Sequence, residues 1–201
     1  MHSAKPREGV PGPLPAIDRL AKHCWERLAG AVRDREHPWR TPAIASQSVD
    51  GAALRTVVLR AVDAPDRELF LHTDARSAKA AQLARTPALS WLFWDPACQE
   101  QLRCNGDVSL HRGDAVADLH WRRLPRASRA AYGQSIAPGT PLDEPGAVRP
   151  ASGGPEEACR HFLVVRCQVR EMDWLRLDRN GHHRAQLRWS SSAWDATWVA
   201  P

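Results

Sequence analysis

The sequence predicts a mainly β protein with flanking helices, built as an antiparallel barrel. Three observations carry this. Seven short segments are rich in aliphatic and β-branched residues. Turn signals separate most of them, and only three stretches carry helical spacing or a helix start. Short consecutive strands joined by tight turns favour antiparallel pairing that closes on itself over a parallel α/β sheet.

Taken in order, residues 1–14 are rich in Pro and Gly and read as a flexible arm ahead of a single domain over residues 15–201. Ile17, Leu20, Cys24, Leu28 and Val32 then recur at helical spacing, with Asp18, Lys22, Glu26 and Arg27 between them, so residues 16–34 form an amphipathic helix. After the turn-like stretch 35–42, strands are expected over 43–48, 53–62, 67–73, 88–94, 100–111, 161–174 and 183–189. Asp50-Gly51, Asp63-Ala64-Pro65-Asp66, Asp95-Pro96 and Asn180-Gly181 punctuate them. Two helices interrupt the strands: one follows Ser77, and the other, at 114–124, is capped by Asp114. Residues 133–157, full of Pro, Gly and small polar residues, read as a long loop.

The chain of 201 residues has 43% hydrophobic and 25% charged residues, ordinary for a globular domain. Nine Trp stand beside three Phe and one Tyr. Such flat side chains fill cores and also wall sites for flat ligands. A net charge of +5 favours anionic partners. The basic residues are scattered, however, with no helix-turn-helix or aromatic RNA-binding motif, so no nucleic acid is expected. The five Cys form no CxxC pair, which argues against a disulfide framework or a zinc site. His182 and His183, adjacent on a strand, point to opposite faces and suit no shared metal. With no apolar leader and no run long enough to span a membrane, a cytoplasmic protein that does not engage membranes is expected.

The corner between residues 70 and 94 gathers Thr73, Arg76, Ser77 and Lys79. Such a corner is polar simply because it faces water, with Ser77 capping a helix. It is also what an anion site requires, since a helix N-terminus offers unpaired N–H groups and a positive dipole end beside hydroxyls and cations. The corner alone leaves both readings open.

Six motifs in order give the chain a resemblance to the pyridoxamine 5'-phosphate oxidase-like family of FMN-binding split-barrel proteins, in its general flavoprotein branch. RTVVLR at 55–60, LHTDARSAKA at 71–80, EQLRCNGDV at 100–108, LPRASRAAYGQS at 124–135, VREMDWLRL with an Arg ten residues after its Trp, and a terminal Trp followed by Pro201 carry it. The resemblance implies a homodimer of split barrels with FMN at the subunit interface. It assigns the flavin phosphate to Arg55, Thr73, Ser77 and Lys79. Ala78 stands where the family has an Arg, and Arg76 is a candidate replacement. Gln101 would meet the flavin ring, while Gln134, Ser135, Trp174 and Arg184 would reach it from the partner chain. If Asn180-Gly181 is a two-residue hairpin turn, Leu177 is opposite Arg184 and Trp174 and Arg184 face opposite sides, whereas a longer or bulged loop would remove that conflict.

The substrate side of the family maps to Arg60, His120 and Ser128. Leu124, Asn180 and Gly181 stand where the true oxidases grip the vitamin phosphate with further groups, so two of the family's cations are missing here. The expected function is therefore an oxidoreductase acting on an unidentified small molecule. The rival readings are a non-catalytic flavin- or haem-binding module and a purely structural domain. Flavin redox chemistry asks little acid–base help of the protein, so the lack of a recognisable nucleophile–base pair does not argue against an enzyme.

Overall fold

The computed structural model describes residues 13–144, 147–150, 152 and 154–201. Apart from its last two positions, the arm expected at 1–14 lies outside the described residues, as do positions 145, 146, 151 and 153 of the expected loop. Nine antiparallel strands form one curled sheet: β1 (Ala43–Ser48), β2 (Gly51–Thr56), β3 (Ala61–Asp63), β4 (Glu68–Asp74), β5 (Ala88–Asp95), β6 (Glu100–His111), β7 (Phe162–Arg176), β8 (His183–Ser190) and β9 (Ala193–Val199). Along the main path the order is β2-β1-β5-β6-β7-β4-β3, with β8 and β9 branching from β7.

The two ends of that path, β2 and β3, are consecutive in the chain. Residues 57–60 bridge them, with Val57 and Leu59 donating to Pro42 and Arg40, and Arg60 donating to Phe70. The expected strand 53–62 is thus two strands, because its first half pairs with β1 and its second with β4. The sheet curls until its ends face each other across this link without pairing, which is a split barrel rather than a closed one.

Alternation along the strands assigns the faces. Ile44, Trp91, Cys104, Met172 and Leu187 lie opposite one another across neighbouring strands and are all buried on the inner face. Helix α1 (Leu20–Arg33) adds Leu20, Cys24, Trp25 and Leu28 to the same core. A second buried cluster forms on the outer face near the end of β7, where Phe70, Phe162 and Val164 meet Ala117 and Leu124 of the segment around α3 (Ala115–Arg123). Two further helices were not anticipated, α4 (Arg126–Arg129) and α5 (Gly154–His161), the second lying at the end of the expected loop.

A bulge between Asn105 and Gly106 leaves Arg170 as the extra residue of β7 and reverses which of its residues face inward. Gly106 permits it: a Cβ there would sit 2.2 Å from the Gln168 carbonyl oxygen, and backbone cannot yield. Gly106→Ala is expected to lose about 3 kcal/mol, the upper end of ordinary overpacking, measured as a lower urea midpoint.

A buried charge network ties α1 to the β5–β6 hairpin. Arg27 donates to Glu100 Oε2 at 2.6 Å and to Asp95, and its guanidinium lies 4.3 Å from the centre of the Trp39 ring. His23 and the Trp174 indole contact Glu100 Oε1 at 3.0 and 2.7 Å. Burial alone would raise the Glu100 carboxyl. Hydrogen bonds from His23 and Trp174, with the charge of Arg27, hold it below the usual 4.5.

Candidate functional site

Helix α2 (Ala78–Arg85) packs against β1 and β4 at one rim of the barrel. Ser77 caps it by accepting from Ala80 N at 3.3 Å, and its hydroxyl meets the buried Thr73 hydroxyl at 3.1 Å. Thr73 faces inward on β4 and Arg55 inward on β2, each one residue out of phase with its outward neighbours. The corner is therefore assembled from strands at the two opposing ends of the sheet.

Arg55 and Lys79 are its cations. Burial, then the nearby charge of Arg55, pulls the Lys79 ammonium below its usual 10.5, and burial also lowers the Arg55 guanidinium. Among the described residues neither has a carboxylate partner. Two half-buried cations that repel each other beside a helix N-terminus fit a dianion such as a phosphate monoester. The donor set therefore suits the phosphate of a flavin mononucleotide.

Arg76 is engaged elsewhere. Its Nε and Nη2 donate to the two oxygens of Asp74 at 3.0 and 2.8 Å, and Asp74 also accepts the Arg76 backbone N–H. The charge expected to replace the missing arginine at Ala78 is balanced within the chain.

Gln101 lies on the other side of the sheet. Its cross-strand row, Trp94–Gln101–Leu175–Arg184, faces outward, opposite to Arg55. Gln101 and Arg184 thus share a face, two strands apart, and Arg184 donates to both oxygens of Asp173. The register corrects the expected hairpin: Leu175, not Leu177, is opposite Arg184, because the connection runs over residues 177–182. A shift of two residues preserves facing, so Trp174 still points away from Arg184. Trp174 is fully buried in the core beneath Glu100, its edge against Trp198 at 6.1 Å between centres, which removes it from any ring-stacking role on this surface. Gln134 and Ser135 lie beside an isolated bridge from Gln134 to Pro150, with the Gln134 amide donating to Ala130.

Of the residues that the resemblance assigns to the substrate, Arg60 and His120 lie near His72, a residue the sequence did not single out. His72 Nε2 lies 2.9 Å from His120 Nδ1, and their rings pack among Phe70 and Phe162. Burial, with His120 and Arg60 adding, pushes the His72 imidazole down to about 3. His72 Nδ1 and Arg60 Nε are buried without a hydrogen-bond partner. Ser128 sits half-buried on α4. Leu124, in the slot of an expected cation, is a core residue.

A nucleophile–base chain that the sequence did not suggest also forms. Ser109 Oγ lies 2.9 Å from His111 Nε2, and His111 Nδ1 lies 2.8 Å from Asp114. Asp114 at the same time caps α3 through Ala117 N, and Ser109 accepts from Arg166, so the chain ties β6 to that helix. The described residues hold no cluster of three or more His, Cys, Asp or Glu suited to a metal. No described helix is long and apolar enough to cross a membrane.

Residues 23–112 match the family model described as the FMN-binding domain of pyridoxamine 5'-phosphate oxidase. Among curated proteins, a pyridoxine/pyridoxamine 5'-phosphate oxidase of Anaeromyxobacter dehalogenans (strain 2CP-C) is 36% identical over 121 residues, covering 58% of this chain and 59% of that protein. One of the same description from Chromohalobacter salexigens is 31% identical over 99 residues, covering 47% and 45%. The chain spans about half the length of the curated relatives it matches. Among solved structures, a pyridoxamine 5'-phosphate oxidase-related FMN-binding protein of Nostoc punctiforme PCC 73102 is 26% identical, with 94% of this chain and 100% of that one covered and a TM-score of 0.73. The matched stretch holds the whole corner formed by Arg55, Thr73, Ser77 and Lys79, and it makes FMN the supported cofactor. Residues 23–112 thus match the FMN-binding domain of pyridoxamine 5'-phosphate oxidase, and the chain is similar in sequence and fold to proteins of that oxidase-like, split-barrel type.

Proposed function

We propose that the chain is a homodimeric, cytoplasmic FMN-dependent oxidoreductase acting on a small molecule other than pyridoxamine 5'-phosphate. The observation that carries the cofactor reading is the pair of half-buried cations, Arg55 and Lys79, left without a carboxylate partner beside a capped helix start. Bound FMN supplies the redox chemistry, and the protein binds, orients and shields it. Arg55 and Lys79 would balance the phosphate charge while the Thr73 and Ser77 hydroxyls donate to its oxygens.

The dimer reading rests on the faces. Gln101 and Arg184 are on the opposite side of the sheet from Arg55, so one barrel does not bring all of these residues to one ligand. The outer face around them carries Leu54, 70% exposed, with Leu92 and Trp94, an apolar surface that a second copy would cover. Gln134 and Ser135 remain candidates to reach across that contact.

The substrate reading rests on Arg60, the His72–His120 pair and the core position of Leu124. Without the two cations that the true oxidases place there, a phosphate substrate would bind more weakly by several kcal/mol, about 1.5–3 for each charged hydrogen bond. The five free cysteines suit a reducing compartment. An absorption spectrum of the purified protein, taken after adding FMN and removing the excess, is expected to show retained oxidised-flavin bands. A folded protein that retains none would refute the cofactor reading.

A further inference from the structure

We propose that Gln82 and Ser46 are positioning residues of the anion corner, holding the Arg55 guanidinium in place without neutralising it. This rests on the FMN reading and adds to it two residues outside the assigned site. Gln82 follows Lys79 by three positions on α2, so the two share a helix face. Ser46 alternates with Ile44 on the inner face of β1. Both are buried.

Arg55 Nη1 donates to Ser46 Oγ at 2.5 Å, Arg55 Nη2 donates to Gln82 Oε1 at 2.8 Å, and Ser46 Oγ donates to the same Oε1 at 2.8 Å. The three groups close a ring that fixes the rotation of the guanidinium. An arginine carries five N–H donors, and this ring uses two. Its remaining donors stay free for a ligand.

The neutrality of the partners is the informative point. Three other half-buried arginines are answered with carboxylates, Arg27 with Asp95 and Glu100, Arg76 with Asp74 and Arg184 with Asp173, while Arg40 is held by the Ala31 and Val32 carbonyls. At Arg55 an amide and a hydroxyl do the holding. A carboxylate in the Gln82 position would hold the fork equally well and cancel the charge that a phosphate needs. An amide keeps geometry and charge together, so the pair serves the anion rather than the fold alone.

The test is Gln82→Glu, titrated by flavin fluorescence with FMN and with riboflavin, which has the same ring but no phosphate. FMN affinity is expected to fall about 10- to 100-fold, with riboflavin affinity and thermal midpoint unchanged. A Gln82 that serves only the fold predicts instead a lower thermal midpoint in Gln82→Met with the preference for FMN over riboflavin kept. A folded Gln82→Glu protein that binds FMN as the wild type does would overturn the proposal. If that variant does not fold, Gln82→Met gives the decision: released from its acceptor, Arg55 should lose most of the preference for FMN over riboflavin, and an unchanged preference would overturn the proposal. A wild-type protein that does not distinguish FMN from riboflavin would instead overturn the phosphate site itself.

Discussion

Replacing Arg27 by alanine is expected to destabilise the protein by about 3–5 kcal/mol, because it leaves two buried carboxylates facing each other without a cation. Asp95 and Glu100 have side chains only 5% exposed, so solvent cannot take over the role of the guanidinium. The loss has a packing part too, since Arg27 also covers the face of Trp39. Arg27→Lys should recover only part of it, as a single ammonium does not reproduce a fork that reaches both acids. Urea unfolding followed by Trp fluorescence measures both variants. A loss under about 1 kcal/mol for the alanine, the size of a solvent-exposed ion pair, would show that the network is not what joins α1 to the hairpin.

The same network sets an acid limit. Burial tends to raise Asp95, but the Cys98 N–H, Arg27 and the Ala97 N–H hold it below 3.8, and Glu100 is held below 4.5. Groups depressed in the folded state contribute their full stability above those ordinary values and lose it as pH falls through the folded ones. Stability should therefore decline as pH drops below about 4, more gently in Arg27→Ala, where the depression is relieved.

The second large effect is on cofactor affinity. Arg55→Ala and Lys79→Ala each remove a charge-assisted contact, about 1.5–3 kcal/mol, or about 10- to 100-fold in affinity. Together they should abolish retention of FMN through desalting. The two cations repel each other in the free protein, which offsets part of the cost of the hydrogen bonds that Arg55→Ala removes from Ser46 and Gln82, so the double variant should stay folded without ligand. Flavin retained by a folded double variant would show that the phosphate is held elsewhere. Because Arg76 is already paired with Asp74, Arg76→Ala offers an internal contrast, with FMN affinity nearly unchanged.

Much of the fold was legible because strand periodicity is a local signal. The bounds of β1 and β6 coincide with expectation, and Ser77 and Asp114 cap the helices they were expected to start. Strand β9 was missed although Trp194, Ala196 and Trp198 alternate with Asp195, Thr197 and Val199, because three serines before it masked the hairpin with β8. The clustering of the polar corner was legible for a similar reason: Thr73, Ser77 and Lys79 lie within one short stretch of chain. Facing across the sheet was harder. That Gln101 and Arg55 point apart follows only from a succession of strand pairings, and Trp174 becomes a core residue through a bond to Glu100, 74 positions away. His72 escaped notice because its meaning comes from His120, which only the packing of α3 on β7 brings near. Gln82 and Ser46 did carry a signal, three residues from Lys79 and two from Ile44.

The seam of the barrel gives the corner a mechanical meaning. Arg55 stands on the terminal strand at one end of the sheet, while Thr73, Ser77 and Lys79 stand on or just after the strand next to the other end. Four residues, 57–60, are the covalent stitch between β2 and β3. An anion gripped from both sides is a clasp across that opening, and opening the seam would require releasing it. Loading the site would therefore lock the half-open cylinder into a stiffer body, with a gain that grows with the concentration of the bound molecule above its dissociation constant.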